Sequence, residues 1–199
     1  MITGNTNQNL SYSGMVKLYA YQNNKKFFLG QYKNTGGSSL FDFFTQCLTG
    51  NFAEAAKLLP KQICLLKTTV QGGDGEESKD LDDWVLENSD SSIKDIDNDR
   101  LIIEQCTIYI SQRDLPVPIS QAGSTTVCFN FMVPASLVYN TEGVNSNINS
   151  VGLYTAQADE ANDVDNFLAL CALNLKEYSS ELAASSYMLL EWYLTVENK

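Results

Sequence analysis

The chain contains no histidine among its 199 residues. That absence removes Ser-His-Asp and Cys-His nucleophilic systems, and with no CxxC pair present it also removes zinc sites of the usual Cys/His spacing. Five cysteines (Cys47, Cys64, Cys106, Cys128 and Cys171) lie far apart within apolar segments. The odd number leaves at least one unpaired in any intramolecular scheme, and reduced core thiols are the expectation. No apolar run is long enough to span a bilayer. Residues 1–14 are polar and lack the basic start and apolar stretch of a secretion signal, so a chain made in soluble form with no membrane partner is expected. Basic residues are scarce too: 13 Lys and Arg stand against 24 Asp and Glu, a formal net charge of -11. Such a balance opposes direct binding to a nucleic-acid backbone.

Phosphate-binding loops are missing as well. Gly73-Asp74-Gly75 begins like a dinucleotide fingerprint, but Ser78 stands where the third glycine belongs and the surrounding acids would repel a pyrophosphate. No G-x-x-x-x-G-K-[ST] loop occurs, and no cofactor is expected.

What is present reads as strands. From Met15 to Tyr21, Val16, Leu18 and Ala20 alternate with Lys17, Tyr19 and Tyr21. Asn23-Asn24 then turns the chain back through Phe27, Leu29 and Gln31, a hairpin pattern. Further strand signals cover residues 63–70, 101–112, 125–133, 151–155, 167–175 and 187–196. In the last, Met188, Leu190, Trp192, Leu194 and Val196 form one face, while Tyr187, Glu191, Tyr193, Thr195 and Glu197 take most of the other. Phe167 to Leu173 is apolar on both faces and reads as a central strand.

Between the hairpin and residue 63 the period changes. Leu40, Phe43, Phe44, Cys47 and Leu48 fall on one helical stripe about 140° wide, with Phe41 on its shoulder, Ser39 as N-cap, Asp42 complementing the dipole and Gly50 as C-cap. Asn51 and Glu54 resemble a capping box that opens a second helix, whose apolar face is Phe52, Ala55, Ala56 and Leu59, ended by Pro60. Two short helices need a larger support, and a sheet is the expected one. These signals give a mainly β chain: an antiparallel β-sandwich or jelly-roll-like domain with a short two-helix insertion near residues 39–59. It is expected to be one domain over residues 1–199, with residues 71–100 as an acidic loop or small subdomain inserted within it. That insertion holds eleven carboxylates, and the helical spacing of Leu81, Trp84 and Val85 suggests one brief amphipathic turn.

Two acidic clusters bear on metal binding. Asp95, Asp97 and Asp99 have the alternation with which a calcium loop starts, but Arg100 replaces the turn glycine and Cys106 the bidentate Glu. Asp159, Glu160, Asp163 and Asp165 form a loop cluster between two strands. Solvated loop charge is the plainer reading of both, so the six aspartates are calcium candidates only, and no metal or catalytic residue is assigned. Carboxylate pairs that could serve a glycosidase, and exposed Tyr19, Tyr21, Tyr32 and Trp84 that could stack on sugars, leave two alternatives open: a glycan-cleaving enzyme and a calcium-assisted carbohydrate-binding module.

Several blocks resemble virion structural proteins of tailed bacteriophages, especially crAss-like phages. They are Asn34-Thr35-Gly36 with Leu40-Phe41-Asp42-Phe43-Phe44, then Cys47-Leu48-Thr49-Gly50-Asn51-Phe52 and Leu58-Leu59-Pro60. In the second half, Ser150-Val151-Gly152-Leu153-Tyr154, Phe167-Leu168-Ala169-Leu170-Cys171 and residues 189–198 resemble fibre, collar and head-associated proteins. The resemblance implies a non-enzymatic part of the particle, made in the host cytoplasm, that docks with other virion proteins and with its own copies. It carries over no catalytic residue. Phe41, Trp84, Tyr19, Tyr21 and Tyr193 are the candidate partner-interface residues.

Overall fold

The computed structural model describes residues 10–36, 38–70, 80, 81, 83, 101–111, 114, 116–121, 124–140, 142–145, 147–155 and 167–198. In chain order its elements are β1 (Leu10–Gln22), β2 (Lys25–Gly36), α1 (Ser38–Leu48), α2 (Phe52–Lys57), β3 (Pro60–Val70), β4 (Leu101–Ser111), β5 (Val117–Gln121) and β6 (Ser124–Pro134). There follow α3 (Ala135–Val138), β7 (Tyr139–Asn140), β8 (Gly143–Val144), β9 (Ser150–Thr155), β10 (Phe167–Ala172), a 3-10 turn (Leu175–Tyr178), α4 (Ser179–Ala183) and β11 (Tyr187–Asn198).

The chain is mainly β and antiparallel, with few and short helices. Nine strands are joined in the order β4-β3-β9-β10-β2-β1-β11-β6-β5, and β7 pairs with β8 apart from them. Strand β2 is the pivot: Lys25 to Lys33 pair with β1, whereas Asn34 to Gly36 pair with β10. The sheet thereby divides into two halves whose apolar faces meet, with β3 and β4 approaching β6 across the interior. Val16, Leu18, Phe131, Leu190 and Trp192 from one half share a core with Ile63, Leu65, Val151, Leu153 and Leu168 from the other. This is a β-sandwich-like arrangement, and each such side chain contributes roughly 2 kcal/mol on full burial.

Local chemistry explains the strands that matter for the outer surface. Asn23 and Asn24 both adopt positive φ (48° and 61°), the requirement of the tight hairpin turn whose twist matches the flanking strands. In β11, Met188, Leu190, Trp192 and Leu194 are buried while their neighbours stay partly wet. Every described side chain of β10, from Leu168 to Ala172, is buried, as its apolar run demands of a strand lying between β9 and β2.

The boundaries differ from the alternation pattern in several places. Strand β1 starts at Leu10 rather than Met15, because Leu10 to Gly14 pair with the end of β11 even though Ser11, Ser13 and Gly14 hide the period. Strand β10 stops at Ala172, and the chain coils into the 3-10 turn and α4 where a continued strand was expected. The short β5 pairs with β6 despite Pro118, which is tolerated because β5 is an edge strand.

Helix α1 sits on β10 and on the β1 and β2 ends. Leu40 is fully buried, and Phe43 and Phe44 pack half-buried against the core. Their rings lie 5.4 Å apart, and Phe44 is 6.2 Å from Tyr12. Its first residue is Ser38, so Ser39 lies inside the helix and no acid occupies the first turn; Asp42 is too far along to complement the dipole. Gly50, at φ +76°, ends the turn that follows. Helix α2 is a larger correction. Asn51 makes no side-chain cap bond, and Glu54 instead pairs with Lys57 at 2.9 Å. Only Ala55 is buried, while Phe52 is 70% exposed: six residues are too few for a continuous apolar stripe to reach the sheet.

Candidate interaction face

The outer face of β2, β1, β11 and β6 forms a grid that follows from register. Lys33, Met15, Tyr193 and Cys128 lie in one row, and Gln31, Lys17, Glu191 and Asn130 in the next. Phe28, Tyr19, Leu189 and Met132 make the third row, and Lys26, Tyr21, Tyr187 and Pro134 the fourth. A bulge assembles the lower rows. Leu18 is opposite Gly30 but Tyr19 is opposite Phe28, so Leu29 is the extra residue and β2 changes face there. Phe28 and Lys26 are thereby turned toward Tyr19 and Tyr21.

Glu191 is the hub. Its carboxylate pairs with Lys26 through Oε1 and accepts a hydrogen bond from Tyr193 Oη at 2.7 Å through Oε2. Lys26 Nζ also lies 3.6 Å from the Tyr19 ring centroid, and Lys17 Nζ lies 4.9 Å from that of Tyr193. Tyr19 and Phe28 meet edge to face at 5.5 Å. Cations over ring faces and a satisfied carboxylate hold the aromatic groups in set orientations. Burial pushes the Glu191 carboxyl up, but hydrogen bonds from Lys26 and Tyr193, with the Lys26 charge, outweigh it and leave the group below its ordinary value. Burial and then the Glu191 charge push Tyr19 up to about 12. Burial and then the hydrogen bond to Glu191 raise Tyr193, and burial raises the Cys128 thiol, so these hydroxyls and this thiol stay protonated at neutral pH.

Three of the five interface candidates from the sequence, Tyr19, Tyr21 and Tyr193, therefore come together on this face. Phe41 belongs to α1, away from the grid, and its side chain lies outside the described residues, as does Trp84. Asp95, Asp97, Asp99, Asp159, Asp163 and Asp165 lie outside them too; among the described residues no three Cys, Asp or Glu groups cluster to hold a metal. Tyr32 is a correction: it is half-buried rather than exposed and donates to Tyr178 Oη at 3.2 Å. Lys17, Lys26, Phe28 and Glu191 were not singled out by the sequence. The only signal was their place on the polar side of alternating strands, which says nothing about which strands are neighbours.

The chain matches no known family model, no characterised protein and no solved structure.

Proposed function

We propose that this chain is a non-enzymatic structural component of a phage virion, docking with other virion proteins as a decoration, collar or fibre-anchoring subunit in a symmetric assembly. The carrying observation is the aromatic end of the outer face, where Phe28 and Tyr187 are 58% and 40% exposed beside Tyr19 and Tyr21. Clustered exposed aromatics with a locked charged neighbour have the composition of interface anchors rather than of a random surface. The same end offers backbone: Lys25 to Lys33 of β2 pair with β1 on one side and with no described strand on the other, so a partner's strand can add there. The absence of histidine and the phage-like blocks described above support the same reading.

The test is mass spectrometry and cryo-electron microscopy of purified particles from the phage that encodes the chain. Stoichiometric copies in a symmetric layer are expected, with the β1–β2 hairpin end at a contact. A Phe28→Ser/Tyr187→Ser double variant should fold yet fail to incorporate. Intact infectious particles without the chain overturn the proposal.

A further inference from the structure

The opposite end of the outer face holds a groove of about 400 Å3. Its floor is made by β1, β11 and β6, and its walls include Ser13, Gln31 and Lys33 on one side and Thr126, Tyr193 and Thr195 on the other. Ser13, Gln31 and Lys33 are exposed and make no side-chain hydrogen bond or ion pair with a described residue. Thr126 and Thr195 share a hydrogen bond at 2.8 Å, and one hydroxyl can still donate outward while both still accept. The Tyr193 ring stands as a fixed wall, held by Glu191 at its hydroxyl and flanked by Lys17.

Charge selects among ligands. No carboxylate lines the groove. Lys33 is the one charged residue of the lining, and the two strands that bring it and Ser13 there, β1 and β2, carry no Asp or Glu, inside a chain of net charge -11. The lining thus carries one positive charge, that of Lys33, and no negative one, which favours an anion. Its remaining groups suit a hydroxylated ring: a hydroxyl, a carboxamide, a threonine pair and, for the apolar ring face, Met15 with the rings of Tyr32 and Tyr193. An acidic peptide fits the groove floor less well, since β11 and β6 are hydrogen-bonded on both sides here; β1 pairs with β11 alone at Ser13 and Gly14, and the β2 edge is open as far as Lys33 among the described strands, so such a peptide is the competing outcome of the test.

We infer that this groove binds an anionic saccharide, a sugar ring bearing a carboxylate or a sulfate, with Lys33 meeting the acid group, Gln31 and Ser13 the ring hydroxyls, and Tyr193 the ring face. No calcium is needed, because the cation is supplied by the protein. The site is separate from the aromatic docking end, so it stands or falls independently of the virion reading.

The experiment is calorimetric titration of the full chain with a hyaluronan hexasaccharide (carboxylate only), a chondroitin sulfate hexasaccharide (carboxylate and sulfate), neutral maltohexaose and hexaglutamate. One or both charged oligosaccharides should bind, more weakly as salt rises, and equally with and without EDTA. Their relative affinity tells carboxylate from sulfate preference. Lys33→Gln should weaken binding about tenfold, the worth of one charge-assisted hydrogen bond, and Gln31→Ala by a few-fold. Lys61→Gln, an exposed change on β3, should leave affinity unchanged. Equal binding of maltohexaose, tighter binding of hexaglutamate, loss of binding in EDTA, full affinity in Lys33→Gln, or no binding of either charged oligosaccharide overturns the assignment.

Discussion

The carboxamide of Asn34 fills the space that a side chain at Gly14 would need: a Cβ built on Gly14 falls 1.8 Å from Asn34 Oδ1. Asn34 is fully buried, and its Nδ2 donates to Tyr12 Oη at 2.7 Å, which anchors the point where β2 leaves β1 for β10. Gly14→Ala should therefore destabilise the fold by about 3 kcal/mol, the upper range for overpacking, lowering the urea midpoint with little change in slope. The Gly14→Ala/Asn34→Ala double variant should be more stable than the sum of the two single losses predicts. Additive losses would show that the two residues do not compete for one space.

Glu191 makes stability depend on acid. Its folded carboxyl titrates below the unfolded one, so its contribution is present above the unfolded value near pH 4 and is lost as pH falls through the folded value. Glu191→Gln should cost about 1–2 kcal/mol at pH 7 and flatten the decline in stability below pH 4. Urea titrations of both proteins at pH 7 and pH 3 measure this, and parallel pH curves would contradict it.

Asn149 acts as a piece of backbone beside β3. Its Oδ1 accepts from Thr68 N and its Nδ2 donates to Thr68 O, both at 2.8 Å, while its own amide donates to Leu66 O at 3.0 Å. Asn149→Ala leaves both Thr68 groups without these partners and should cost about 2–3 kcal/mol. Amide exchange at Thr68 should quicken well beyond the global change; exchange that merely follows global stability rules the clamp out.

Trp192 is fully buried, and among the described residues its Nε1 has no hydrogen-bond partner. Replacement by Phe loses ring volume but also removes a desolvated donor, so Trp192→Phe should cost only about 1 kcal/mol, against about 4 kcal/mol for Trp192→Ala. Thermal melts of the two variants compare the terms directly, and similar losses would mean that the indole nitrogen is not a liability.

Much of the architecture was readable from local pattern. The Asn23-Asn24 turn, the alternation of Val16, Leu18 and Ala20, the wet and dry faces of β11 and the two-sided apolar run of β10 each depend on residues adjacent in the chain, and each appears in the structure. The candidate face was only half readable. Tyr19, Tyr21 and Tyr193 could be assigned to polar strand faces, but Lys26 and Glu191 are 165 residues apart, and no local period brings them together. The opening of β1 was hidden because Ser11, Ser13 and Gly14 carry no apolar alternation, and their strand state rests on pairing with β11.

By itself the amino-acid order determined that the chain is mainly β, where its first hairpin turns and which side of most strands seeks the interior, since side chains alternate with a period of two in any strand. Tertiary structure alone decided which strands became neighbours, that β2 serves both halves of the sandwich, and that one extra residue at Leu29 turns Phe28 and Lys26 outward. A shift of a single residue exchanges the two faces of a strand, and its cost is set by contacts with distant segments. Surface chemistry that depends on register, including the Glu191 hub and the Lys33 groove, therefore exists only once the sheet has closed.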